Sequence, residues 1–180
     1  DARYMSAQLA VNAIKLLKKA KINFTVLLDE PDSGYMMDTL IGKAEETRQT
    51  MLKTAEQLGY KTIVTLDPAD AKVFLREYKE WGIEVNAEIR TLTNFINELI
   101  KKRNLKPVKS GTTYVFQDPA VLSRDLEEVD EAREILSCCG ELKEMLLHGK
   151  DTNWAGNLIM NEYMTDVIEK TAKARWEEAV

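Results

Sequence analysis

Alternating strand-like and helix-like stretches predict an α/β fold with mainly parallel strands flanked by helices. Three observations carry that prediction. Short runs such as Thr62-Ile63-Val64-Thr65 and Thr112 to Phe116 alternate with stretches whose apolar positions recur at helical spacing. Three predicted strands run into polar turn-forming loops: Glu30-Pro31-Asp32-Ser33-Gly34-Tyr35, Asp67-Pro68-Ala69-Asp70 and Gln117-Asp118-Pro119-Ala120. Residues 15–34 and 134–156 also share one order, helix end, strand, polar loop and glycine, and each precedes a long helix.

The elements follow in chain order. Residues Met5 to Ala20 set Leu9, Ala10, Ala13, Ile14, Leu16 and Leu17 at helical spacing, with Lys15, Lys18, Lys19 and Lys21 near the end, where cations suit the helix dipole. Asn23 to Leu28 reads as a buried strand. Asp38 is placed to cap a helix reaching about Leu58, with Gly59 just beyond it. Lys61 to Leu66 is the next strand, and Asp67-Pro68 opens a helix that runs to about Trp81 and stops at Gly82. Val85 to Ile89 reads as a short strand, and Thr91 or Thr93 starts a helix that ends near Arg103, before Asn104-Leu105-Lys106-Pro107. Thr112 to Phe116 is a strand rich in β-branched and aromatic residues. A helix over Leu122 to Cys138, a strand over Leu142 to Leu147 and a helix over Leu158 to Trp176 complete the chain.

The duplication divides the chain into two pseudo-repeated lobes, 1–106 and 107–180. The first copy lacks the strand that precedes the first helix of the second. The second ends where the first continues into a strand and an Asp-Pro loop. Both ends are therefore expected to be cut from a longer protein, leaving the second lobe incomplete.

Composition narrows the function. Hydrophobic residues make up 44% of 180, enough for a sizeable core, and the net charge of −5 argues against a surface that tracks phosphates. No basic stripe interleaved with aromatics points to nucleic acid, and no apolar run approaches the roughly 20 residues that span a bilayer. Two adjacent cysteines make no disulfide framework, and a cytoplasmic location is expected. Neither G-x-G-x-x-G nor a P-loop pattern occurs.

The loops carry a resemblance. Lys61 to Asp70 resembles a strand followed by Cys-Pro-x-Cys, and Phe116-Gln117-Asp118-Pro119-Ala120-Val121-Leu122-Ser123-Arg124 resembles "HDPCxLxR", with Glu131 to Leu136 matching the helix that follows. These are marks of the cysteine-rich CCG-domain proteins, which include a subunit of heterodisulfide reductase and the iron–sulfur subunits of glycolate oxidase, lactate-utilisation proteins and anaerobic glycerol-3-phosphate dehydrogenase. In that family the domain binds an iron–sulfur cluster and passes electrons to or from a disulfide, a quinone or a partner subunit. By this resemblance Asp32 and Ser33 stand in the first "CC-G" place, Asp67 and Asp70 in the "C-x-x-C" place, Ala120 at the "DPC" cysteine, and Trp154 and Ala155 in the second "CC-G" place. The cluster ligands are gone while glycines and prolines persist. Iron–sulfur clusters need thiolate or, less often, imidazole ligands. The resemblance thus implies a degenerate domain of an iron–sulfur oxidoreductase subunit, without a cluster of its own and without a catalytic residue. It would serve as a structural or docking piece beside oxidoreductase subunits or a ferredoxin-like domain, with its loops converging on a hollow.

Other readings stand beside that one. Asp29, Asp32, Asp67, Asp70, Asp118 and Asp151 fall in post-strand loops, where ligands bind in α/β folds, and could hold a small polar ligand or a hard cation. The plainer account is turn formation and helix capping. Cys138-Cys139-Gly140 spells the family motif, but at a helix end, where Gly140 reads as a C′ cap; a redox-active vicinal pair is the alternative. His148, the sole histidine, has no nearby metal or triad partner in sequence. Trp154 either plugs the space of a lost cluster or anchors packing. Met36, Met37, Met51, Met145, Met160 and Met164 read as core.

Overall fold

The structure is a computed structural model that describes the backbone of residues 2–27, 29–35, 43–156 and 162–180, and side chains from residue 7 onward. The chain divides into two compact units, Asp1–Lys106 and Pro107–Val180. Each contains helices and a two-stranded parallel sheet, so the α/β class holds, with two small sheets in place of one large one.

In the first unit, α1 (Ala2–Lys19) and α2 (Ala44–Gln57) precede β1 (Thr62–Thr65). A helical stretch, α3, then runs through Pro68–Lys72, a π turn at Val73–Glu77, and Tyr78–Glu80. It starts where Asp67 predicts: the Asp67 carboxylate accepts from the Ala69 amide at 2.8 Å, and Pro68 occupies the first helical position. It ends at Gly82, whose φ is +67°. β2 (Glu88–Thr91) pairs in parallel with β1 from Thr62↔Glu88 to Thr65↔Thr91. Thr91 ends that strand and caps α4 (Leu92–Lys101) by accepting from the Asn94 amide at 3.1 Å. Ala20, Leu99 and Leu105 form a buried cluster, lined by Leu17, Ile22, Phe95, Ile96 and Ile100. It holds the C-terminal ends of α1 and α4 against each other.

The second unit opens with β3 (Thr113–Val115), followed by a π turn at Val121–Asp125. Next come α5 (Asp130–Cys139), β4 (Glu141–Lys143), a 3₁₀ turn at Gly149–Asp151, and α6 (Thr165–Ala179). β3 and β4 are parallel, with Thr113↔Glu141 and Val115↔Lys143.

Several expected elements differ. The strand expected over Asn23 to Leu28 is not formed at residues 23–27; Val26 is 52% exposed, and β1 pairs with β2 instead. Leu28 lies outside the described residues, as do Asp38, Met36, Met37 and Met160 and the expected start of the last helix at Leu158. The strand expected at Val85 to Ile89 lies three residues later at its start, in register with β1. The single helix expected over Leu122 to Cys138 is split, because Glu127 takes a left-handed φ of +58°. α5 restarts with Asp130 and Glu131 in its first turn, where carboxylates complement the positive end of the helix dipole. The strand expected over Leu142 to Leu147 stops at Lys143. Beyond it, α6 takes over the backbone bonding: the Leu147 amide donates to Glu178 Oε1 at 3.0 Å, and Arg175 Nη2 donates to the Leu147 carbonyl at 2.6 Å. Gly140 is extended (φ −175°), not a left-handed cap. Its missing side chain serves a close approach, since a Cβ there would lie 2.2 Å from the Thr112 carbonyl oxygen and 2.7 Å from the Tyr114 ring.

Candidate functional site

The loop at 30–35 and the Asp67-Pro68-Ala69-Asp70 loop are joined directly. Ser33 Oγ donates to Asp70 Oδ1 at 2.6 Å. Each loop is also held in its own shape. The Gly34 amide donates to the Asp32 carboxylate at 2.8 Å, and Thr54 on α2 donates to the Asp32 carbonyl. From α3, the buried Tyr78 hydroxyl donates to the Ser33 carbonyl at 2.9 Å. The four positions Asp32, Ser33, Asp67 and Asp70 therefore gather at one place in the first unit, where β1 hands over to α3.

Charge accumulates at this junction. Burial pushes the Asp70 carboxyl above its ordinary value; the Ser33 hydroxyl pulls it back, and the charges of Asp67 and Asp32 add to the rise. Burial likewise raises the Tyr78 phenol. An acid raised by folding is costly when ionised. Its effect on stability is nil below the unfolded carboxylate value of ~3.9 and grows as pH rises through the folded value. Asp70→Asn keeps an acceptor for Ser33 and removes the charge. The variant is expected to be more stable than the parent at neutral pH, with the gain gone below pH ~4. Thermal melts of both proteins across that pH range check it.

In the second unit the Gln117-Asp118-Pro119-Ala120 loop is tied to the loop at 149–156. Gln117 Nε2 donates to Thr152 Oγ1 at 3.1 Å and to the Asn153 carbonyl at 3.0 Å. Beneath this tie lies a buried ion pair. Arg133 on α5 places Nη1 2.7 Å and Nη2 2.8 Å from the two Asp118 oxygens, and the Gly149 amide donates to Asp118 Oδ2 at 2.8 Å. Burial pushes the Asp118 carboxyl up, but Arg133 and the Gly149 amide outweigh it and hold the group below the ordinary range. Arg175, buried on α6, adds a second anchor through Gln117, Glu178 and the Leu147 carbonyl.

Ala120 and Ala155 bring only methyl groups to these loops. Trp154 is 47% exposed and borders an open groove with Lys170, Thr171 and Ala174, so it does not plug a closed space. The seven positions singled out by the resemblance thus fall into two sets, one on each unit.

The two units repeat one further device. Gly34 has φ +94° and Gly156 φ +110°, conformations that L side chains rarely adopt. A Cβ on Gly34 would lie 3.0 Å from Met51 Cγ on α2, and one on Gly156 2.9 Å from Ile168 Cγ2 on α6. Each glycine-bearing loop therefore sits on an apolar side chain of a helix later in its own unit. A π turn also follows each Asp-Pro loop, at Val73–Glu77 and at Val121–Asp125. Such turns recur at functional sites.

Sequence reasoning does not reveal Arg133, Tyr78 or Arg175 as anchors. An i, i+15 pairing such as Asp118–Arg133 has no local period to expose it. His148 is 45% exposed, with Nδ1 3.8 Å from Glu144 Oε2. Cys138 is an exposed free thiol and Cys139 a half-buried one. Asp32 and Asp67 are engaged in a turn and a cap, and among the described residues no three acid, histidine or cysteine side chains converge in a manner that would hold a metal ion. No helix among the described residues is long and apolar enough to cross a membrane.

The chain, an α/β protein with loops tied in pairs, is similar in sequence to a protein described as an iron–sulfur-binding oxidoreductase. Over 135 residues the chain is 30% identical to the "Probable iron-sulfur-binding oxidoreductase FadF" of Bacillus subtilis (strain 168), a match covering 73% of this chain and 19% of that protein. The chain thus spans about a fifth of the length of this curated relative. No family model matches the chain. No solved structure matches it.

Proposed function

We propose that this chain is a degenerate CCG-type domain of an iron–sulfur oxidoreductase subunit, acting as a cytoplasmic structural or docking module without a cluster of its own. The observation that carries the reading is the 2.6 Å hydrogen bond from Ser33 to Asp70. It joins the "CC-G" and "C-x-x-C" positions through oxygen atoms in direct contact. A cluster would need thiolates there and room between them. The donor set does not suit one: a hydroxyl and carboxylates in the first unit, and methyl groups and an indole in the second. The repeated glycine seats and π turns support a scaffold that keeps its shape while its ligands have changed. Kinship with FadF supports the electron-transfer setting, and the partners in this reading are oxidoreductase subunits or a ferredoxin-like domain.

Anaerobic expression, followed by iron and acid-labile sulfide analysis and an optical spectrum, tests the reading. A colourless protein without either element is expected. Stoichiometric iron and sulfide would overturn it.

A further inference from the structure

The buried Ala20–Leu99–Leu105 cluster brings the C-terminal ends of α1 and α4 together, and it gathers charge that the sequence spreads over two distant segments. Lys15, Lys18, Lys19 and Lys21 are exposed at the first end; Lys101, Lys102, Arg103 and Lys106 are exposed at the second. Residues 2–22 contain no acid, and residues 91–106 contain one, Glu98, which pairs with Arg90 and Lys102. Helix dipoles account for little of this excess. Each C-terminus carries roughly half a negative charge, so two of them call for about one cation. The chain as a whole is acidic, at −5, so its charge is segregated.

The make-up of this end selects its partner. Apart from Arg103, its cations are lysines, which are depleted in protein–protein interfaces, where arginine and aromatics are enriched. Residues 7–22 and 96–106 contain no aromatic residue, as base stacking on single-stranded nucleic acid would use. What accompanies the lysines is aliphatic: Val11 (45%) and Leu16 (36%), which lies one turn before Lys19, are exposed on α1. Val11 lies within about 40° of Lys15 and Lys18 around a regular helix. Hydrated ammonium groups beside exposed aliphatic side chains suit an interface of anionic headgroups over acyl chains.

We propose that this lysine-rich end of the first unit docks peripherally on an anionic phospholipid surface. Attraction to such a surface is worth about 1 kcal/mol per cation, or roughly fivefold in binding each. The inference is independent of whether the domain holds a cluster.

Flotation of the 180-residue chain with phosphatidylcholine vesicles, with and without phosphatidylglycerol, tests it. The chain is expected to float with the anionic vesicles alone, and to be released at ~1 M salt, where the screening length falls to ~3 Å. A variant carrying Lys15→Gln, Lys18→Gln, Lys19→Gln and Lys106→Gln should lose binding a few hundred-fold, at roughly fivefold per lysine, with an unchanged melting temperature. Equal flotation with neutral vesicles would overturn the proposal, as would full binding by the folded variant. Absence of flotation together with retention on polyglutamate would assign the patch to an acidic protein and overturn it too.

Discussion

Replacing Arg133 with methionine is expected to destabilise the second unit by ~3–5 kcal/mol at neutral pH, because removing one member of a buried ion pair strands the other. Asp118 is 2% exposed, and Arg133 supplies two of the hydrogen bonds that its carboxylate receives; the Gly149 amide supplies another. Arg133 also reaches Glu144 and the Val129 carbonyl, and its guanidinium lies 5.7 Å from the Phe116 ring centre. Methionine keeps much of the packing and loses every polar contact.

The pH dependence separates this account from a packing defect. Folding depresses the Asp118 carboxyl, so its stabilisation is present above the unfolded value of ~3.9 and is lost as pH falls through the folded value. In the variant the stranded carboxyl is raised instead, and a proton removes its cost. The gap between the two proteins should therefore narrow on acidification towards pH ~4. Chemical denaturation at neutral and acidic pH measures it. A gap independent of pH would show that the loss lies in packing alone.

The second large effect is expected at Gly140. Alanine there would set a Cβ 2.2 Å from the Thr112 carbonyl oxygen and 2.7 Å from the Tyr114 ring. One is backbone and the other is a ring in β3, so neither yields like the tip of a flexible side chain. A loss of about 3 kcal/mol or more is expected, at the upper end for overpacking. The Glu141 amide, which donates to the Thr112 carbonyl at 3.1 Å, should exchange with solvent faster. Gly59→Ala is the control: no atom lies within 4 Å of its Cβ position, and its φ is not positive, so no comparable loss is expected.

Local signals make much of the fold legible. Asp67-Pro68 marks the start of α3, Gly82 its end and Thr91 the cap of α4, because caps depend on residues a few positions apart. Strands are the weaker part. Whether Asn23 to Leu28 or Leu142 to Leu147 pairs is decided by a distant partner, and Arg175 and Glu178 take the backbone groups of Leu147 from 28 and 31 residues away. The site is legible as loop positions but not as bonds. Motif marks Asp32, Ser33, Asp67 and Asp70, yet their joining through Ser33 and Asp70 spans 37 residues. Asp118 reads as a turn residue, and its burial under Arg133 follows from which face α5 turns to the loop. The lysine-rich end has no local signature, because its two halves lie some eighty residues apart and meet only through Ala20, Leu99 and Leu105.

The hydroxyl–carboxylate clasp between Ser33 and Asp70 contains no oxidisable atom. Thiolates climb the ladder from sulfenic to sulfonic acid on exposure to peroxide, and a join made through them fails as they do. An O–H···O join has no such route to damage. The Ser33–Asp70 join is therefore itself indifferent to air, and the sulfur exposed to such damage in this loop's surroundings is that of Met51, buried under Gly34.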